Sequence, residues 1–304
     1  MTVRQEGIRK NLFRRFKLGF WGYFFIFPAF TLYIIFMLYP LIDSVILSFS
    51  NYRIGISEQT FVGLDNYRSI FSDPVFMRVL GNTFIYVILV VPATVILTLL
   101  FAELIIDRRS GEQTFFRIAF YLPVVLSTVT VALVWNNLYS TAFGILNFLV
   151  KTLGGTPVNW LGDAKLVKFS LSLVIITFTM GQPLIMNLAA MGSIPVTYSE
   201  AAYIDGASRW QRFWLITFPL LRPTTLYVAI TTTIKSFQVF AIVKLMSGGG
   251  PNYASDTVVS LIYKVAFSSN NLSRASTMGV VLAVIIGIFA IMQFRLLASD
   301  ETGY

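Results

Sequence analysis

Val79-Leu-Gly-Asn-Thr-Phe-Ile-Tyr-Val-Ile-Leu-Val-Val-Pro-Ala-Thr-Val-Ile-Leu-Thr-Leu-Leu-Phe-Ala102 contains no charged side chain. A helix needs about 20 mostly apolar residues to cross the hydrocarbon core of a bilayer, and this run exceeds that length. Five further runs are of similar length and mostly apolar, at residues 21–42, 118–138, 169–190, 224–245 and 276–294, with charge only in 224–245. Hydrocarbon offers no water to unpaired backbone groups, so each run is expected as a helix. The runs are too long and too uniformly apolar for the alternating strands of a β-barrel. Composition agrees. Of 304 residues, 56% are hydrophobic and 12% charged, against roughly 25% charged in soluble chains. The expected fold is an all-α membrane protein, six transmembrane helices in one bundle, with no internal repeat and no separate soluble domain.

Placement of Lys and Arg sets the expected orientation. The N-terminal tail carries Arg4, Arg9, Lys10, Arg14, Arg15 and Lys17. The short second-to-third loop carries Arg108 and Arg109, with Arg117 at its edge, and the fourth-to-fifth loop carries Arg209 and Arg212, with Arg222 at its end. Arg295 follows the sixth run. These positions place both termini in the cytoplasm of a multi-pass cell-membrane protein. The other loops mix Arg53, Arg68, Lys151, Lys165 and Lys168 with Glu58, Asp65, Asp73 and Asp163. The net charge of +9 therefore points to a lipid surface and not to nucleic acid. Within 1–20 the basic residues alternate with Ile8, Leu12, Phe13, Phe16 and Phe20, the pattern of a helix lying on the membrane. The apolar run that follows is too long for a cleaved signal core. The chain divides into that segment (1–20), a first span with its outer loop (21–75), a core transmembrane unit (76–297) and a short cytoplasmic tail (298–304).

Much chemistry is excluded. There is no His and no Cys, so no imidazole, thiolate, disulfide or usual transition-metal site is available. No phosphate-cradling Gly-rich loop ending in Lys-Ser/Thr occurs. Gly248-Gly249-Gly250-Pro251 lacks the Lys and reads as a helix stop and turn. Asp43 and Glu103 sit at span ends, so no span holds the deep carboxylate that a proton relay needs. The chain reads as a passage driven by something else, not as an enzyme.

Residues 193–223, SIPVTYSEAAYIDGASRWQRFWLITFPLLRP, are too patterned for an ordinary loop. Two short helices joined at Gly206 are expected, over 197–213. Thr197 with Glu200 and Ser208 with Gln211 have capping-box spacing, and Gly206 can take the left-handed conformation that ends a helix. Pro219 and Pro223 mark the return to the membrane. Ala201, Ala202 and Ala207 allow close approach, which suits docking into a partner's groove. The plainer reading of each residue is capping and turn chemistry.

Glu200-Ala201-Ala202-x-x-Asp205-Gly206-Ala207, followed by Ile216-x-x-Pro219-Leu220-x-x-Pro223, resembles the EAA signature of binding-protein-dependent ABC importer permeases, with Phe218 where Leu is usual. Phe61-Val-Gly-Leu-Asp-Asn-Tyr67, Asn159-Trp-Leu-Gly-Asp163 and Ser247-Gly-Gly-Gly-Pro251 resemble outer-loop motifs of the maltose-type and glycerol-phosphate-type sugar permeases. The resemblance implies a transmembrane subunit paired with a second homologous permease. It implies two ATPase subunits beneath the pair, which bind ATP and Mg, and an extracytoplasmic solute-binding protein that delivers a sugar or oligosaccharide. No cofactor is expected on this chain itself. Glu200, Ala201, Ala202, Asp205, Gly206 and Ala207 then form the coupling helix that sits in an ATPase cleft.

Intramembrane polar residues are candidates for the substrate path. Thr231, Lys235 and Gln238 share a helical face by their spacing. Lys235 lies deep in its run, whereas Lys244 is placed on the opposite face and explained by snorkelling. Gly181-Gln182-Pro183 suggests a break that bares carbonyls to a cavity, with Thr177 and Asn187 nearby. Phe237 offers an aromatic platform, with Phe240 close to it. The resemblance places mid-regions of these two spans around the sugar, with Gly181 and Gln238 close to lining positions; packing and interhelical hydrogen bonding are the plainer roles. Lys235 adds an attraction for an anionic ligand such as a uronic-acid oligosaccharide or a sugar phosphate. The alternative from another class is an ATP-independent secondary transporter or facilitator of a small polar solute.

Overall fold

The structure, a computed structural model, describes residues 23–55 and 58–298. The surface helix expected over 1–20 and the tail beyond 298 lie outside the described residues. Among the described residues, three helices are long and apolar enough to cross a membrane singly: α1 (Tyr23–Ser48), α3 (Pro74–Ile106) and, near the C-terminus, α14, whose crossing portion is Leu272–Arg295. Between α1 and α3 lie a small antiparallel hairpin, β1 (Ser50–Asn51) against β2 (Thr60–Phe61) with Ser50 opposite Phe61, and the short helix α2 (Asp65–Phe71). Helicity dominates otherwise, as the run lengths require.

The other three spans are bent pairs. The third is α4 (Ser110–Val125) and α5 (Thr128–Leu138), at 103°. The outer helix α6 (Ile145–Thr152) follows. The fourth span is α7 (Val167–Thr179) and α8 (Gly181–Gly192), at 46°. Next come α9 (Val196–Ile204) and a third pair, α10 (Arg209–Leu220) and α11 (Arg222–Phe237), bent by 71°. The short helices α12 (Ala241–Met246) and α13 (Val258–Ser268) lead into α14.

Two single-span expectations are corrected here. Residues 118–138 are not one helix, because Leu126 and Ser127 are extended and the Ser127 hydroxyl accepts the Thr130 N–H at 3.2 Å to start α5 afresh. Residues 224–245 are not one helix either. The Thr257 hydroxyl donates to the Val239 carbonyl at 2.7 Å, so a side chain occupies an acceptor that a continuing helix would use. Lys244 consequently rides on α12, with its ammonium 5.5 Å above the Tyr263 ring. A cation–π contact with that ring helps to place it. The expected break at Gly181-Gln182-Pro183 is present, since Pro183 supplies no N–H to the Thr179 carbonyl.

α3 organises the bundle. Pro74 opens it, and Asp73 caps it by accepting the Val75 N–H at 2.8 Å. The helix then runs 33 residues, about 50 Å at 1.5 Å per residue. Its side chains enter all three apolar clusters. Tyr86 and Val90 pack with α5, α7 and α12; Val79 and Val87 with α13 and α14; Leu99 and Ala102 with α8 and Phe213. By contrast α1 packs on α14 and leaves Phe25, Phe36 and Leu41 exposed. An apolar surface of that extent suits lipid.

Candidate functional site

At the end of the bundle that carries Arg108, Arg109 and Arg212, α9 stands out from the body with no buried residue. Pro195 is its N-cap and no side-chain capping bond is made. The expected Thr197–Glu200 capping box is therefore corrected: the helix starts at Val196, which puts Thr197 already inside the first turn. The other end forms as expected. The Gly206 N–H donates to the Tyr203 carbonyl at 3.0 Å and the Ala207 N–H to the Ala202 carbonyl at 2.9 Å. This paired closure needs a left-handed residue, and Gly206 has φ +79°. Ser208 and Gln211 then make the expected capping box, the Ser208 N–H donating to Gln211 Oε1 at 2.8 Å.

The six signature residues thus share one projecting knuckle. Glu200, Ala201, Asp205 and Gly206 are exposed, and Ala202 and Ala207 are half-buried. Tyr203 and Ile204 are 71% and 83% exposed, large apolar surfaces that remain mostly uncovered. The inner side is tied down. Arg212 donates to the Ser199 hydroxyl at 2.9 Å and lies over the Tyr203 ring, while Phe213 is buried against Leu99, Ala102 and Ile105. A rigid helix with an open apolar tip can enter a groove without reorganising.

A second feature lies between α8 and α11. A cavity of about 160 Å³ is lined by Thr179, Gln182, Pro183, Tyr227, Thr231 and Lys235, among others. The Lys235 ammonium donates to Gln182 Oε1 at 3.1 Å, and no ion pair holds it among the described residues. Gln182, Thr231 and Lys235 meet at this cavity, whereas Gln238, expected on the same face as Thr231 and Lys235, does not line it. Thr177 is half-buried, its hydroxyl returned to the Val174 carbonyl at 2.8 Å, and Gln238 is exposed as the C-cap of α11.

The remaining pathway candidates face helix contacts. Asn187 is buried and donates to the Thr98 hydroxyl at 3.1 Å. Phe237 is fully buried, with ring centroids 5.5 Å from Phe84 and 5.4 Å from Phe289. Gly181 is buried where a Cβ would stand 2.5 Å from the Phe120 carbonyl oxygen. Gly181→Val should accordingly destabilise the α4–α8 contact by about 1–3 kcal/mol, read as a lower melting temperature of the purified protein in detergent. Thr179 and Tyr227 were missed. Tyr227 was legible, because it precedes Thr231 and Lys235 at intervals of four.

Residues 74–299 match the family of binding-protein-dependent transport system inner membrane components. The chain belongs to that family. This permease is 34% identical over 280 residues to the osmoprotective compounds uptake permease protein GgtC of Synechocystis, covering 90% of this chain and 98% of that one. It is 30% identical over 289 residues to the multiple sugar-binding transport system permease protein MsmF of Streptococcus mutans, covering 93% and 97%. Its fold matches a bacterial ABC transporter involved in the import of the acidic polysaccharide alginate, with TM-score 0.85 over 96% of this chain and 99% of that one, at 23% identity. Membership of the family makes the permease a transporter component, not an enzyme, and removes the alternative of a carrier that works alone.

Toward the other end of α3, residues 247–257 are seated on that helix. Asp256 is fully buried and paired with Lys264 at 2.6 Å; the same ammonium donates to the Gly248 carbonyl at 3.2 Å. From α3, Asn82 donates to the Tyr253 and Asp256 carbonyls, and the Tyr86 hydroxyl donates to the Ser255 carbonyl at 3.0 Å. The Gly-Gly-Gly-Pro run is indeed a turn, and these bonds seat it on α3. Removing one partner of a buried pair strands a charge at about 3–5 kcal/mol. Lys264→Met should therefore lower the melting temperature more than Lys165→Met, whose side chain is exposed.

Proposed function

We propose that this permease forms, with a second homologous permease, the membrane passage of an ATP-driven importer of a sugar or oligosaccharide bearing an acidic group. Two ATPase subunits, which hold ATP and Mg, dock beneath the pair, one of them on the α9 knuckle. A solute-binding protein delivers the substrate at the end that carries residues 247–257. The basic end faces the cytoplasm, with both termini on that side.

The observation that carries this reading is the bent, capped and unburied segment 196–212. Its apolar tip calls for a partner, and its Gly206 closure makes it stiff enough to pass on a rigid-body displacement of that partner. The sugar-binding transport relatives support the substrate class. Lys235 supports the acidic group: an ammonium inside a span costs about 2.5–3.5 kcal/mol on insertion scales, and a cavity that receives an anion repays that cost.

Proteoliposomes holding the permease, its paired permease and the ATPase subunits test the reading. Uptake of a uronic-acid oligosaccharide should require both ATP inside and the solute-binding protein outside. Uptake that persists with neither present contradicts it.

A further inference from the structure

The inner face of the docking segment touches α3 at a spot that the signature does not include. Arg209, the first residue of α10, donates through Nε to Glu103 Oε1 at 3.0 Å and through Nη2 to the Glu103 backbone carbonyl. The same Nη2 lies 3.4 Å from Asp107 Oδ2. Glu103 is only 8% exposed, and it stands in the last turn of α3. Below this contact a cavity of about 210 Å³ separates the start of α9 from α3, lined by Ile106, Met191, Pro195 and Ser199 as well as the charged groups. Packing cannot transmit a displacement across a void. Phe213, one turn on from Arg209, gives an apolar contact to α3, but such a contact is non-directional. The forked guanidinium bonds fix both position and direction.

We propose that Arg209 is a positioning residue that yokes the docking helix to α3 through Glu103, so that a displacement of α9 is carried along α3 to the loop at residues 247–257. α3 is a single helix between the two ends, with Pro92 inside it leaving the Ile88 carbonyl without its N–H partner. At its far end it holds that loop through Asn82, Tyr86 and the Thr83 hydroxyl, which accepts the Val258 N–H at 3.1 Å. The ion pair thus joins the knuckle to the same rod that seats the outer turn. The inference rests on the reading of segment 196–212 as the ATPase-docking element.

The test uses the complete reconstituted importer, with solute taken up per ATP hydrolysed as the readout. The chain has no Cys, so Ala201→Cys gives a single crosslinking site that reports docking independently. Arg209→Gln should keep the crosslink and lower the solute moved per ATP by about two- to thirtyfold, the span of measured coupling effects. Arg209→Lys, which keeps the charge and one donor, should recover most of the loss. Asp107→Asn should stay within about twofold, because that exposed pair is screened. An unchanged ratio in Arg209→Gln overturns the yoke. Loss of the crosslink in Arg209→Gln also overturns it, since Arg209 then only shapes the segment. A Lys variant no better than Gln removes the role of charge and overturns it as well. If the crosslink fails in the otherwise unaltered chain, the docking reading itself is wrong and the yoke falls with it.

Discussion

Gly206→Pro should leave this permease inserted in the membrane and abolish substrate-stimulated ATP hydrolysis. The substitution fails locally for two reasons. Proline is locked near φ −65°, whereas residue 206 sits at φ +79°. Proline also has no N–H, so the bond to the Tyr203 carbonyl is lost. An ordinary L-residue would pay only about 1–2 kcal/mol in that conformation; proline cannot adopt it, so the knuckle must open. The spans hold nothing that depends on this turn, and insertion should be normal by protease protection. Ala202→Arg should give the same outcome by another route. Its position is half-buried, and a long charged side chain there would push the helix out of a fitted groove. Full substrate stimulation in either variant counts against the docking role.

Lys235→Met should lower uptake of an acidic oligosaccharide by roughly ten- to a hundredfold, the worth of a hydrogen bond to a charged group. Uptake of a neutral sugar of the same length should be little changed. Methionine fills a comparable volume and removes the cost of an intramembrane charge, so expression should not suffer. The contact with Gln182 at 3.1 Å gives a companion expectation. Gln182→Leu leaves the ammonium present but unsteered, and its effect should be smaller and in the same direction. Equal acidic uptake by Lys235→Met and the unaltered permease would end the case for an anionic substrate.

The parts of the fold that sequence reading reached are those set by local chemistry. Run length and apolar content pointed to the membrane-crossing segments, and Gly206, Ser208 and Gln211 announced a helix–turn–helix that the structure builds. The departures arise where a distant group decides. The Val239 carbonyl, just past the end of α11 at Phe237, is taken by Thr257 from eighteen positions away, and no local propensity records that. Thr197 and Glu200 have capping-box spacing, yet the cap falls two residues earlier, at Pro195, and the box does not form. In the cavity, Gln182, Thr231 and Lys235 followed from polarity at membrane depth. Polarity and small size were poor guides for Asn187 and Gly181, which meet Thr98 and Phe120 across helix interfaces. The Glu103–Arg209 pair joins residues 106 positions apart and could be found only in three dimensions.

The most direct measurement is a crosslink from the knuckle in working membranes. With Cys introduced at Ala201 as the permease's only thiol, a short thiol-directed crosslinker should join this chain to an ATPase subunit and halt import, and a reductant-cleavable linker should restore import when cut. Crosslinks that form only with other proteins or lipid, in membranes that import at the normal rate and hydrolyse ATP as they do so, would contradict the docking of α9 on the ATPase.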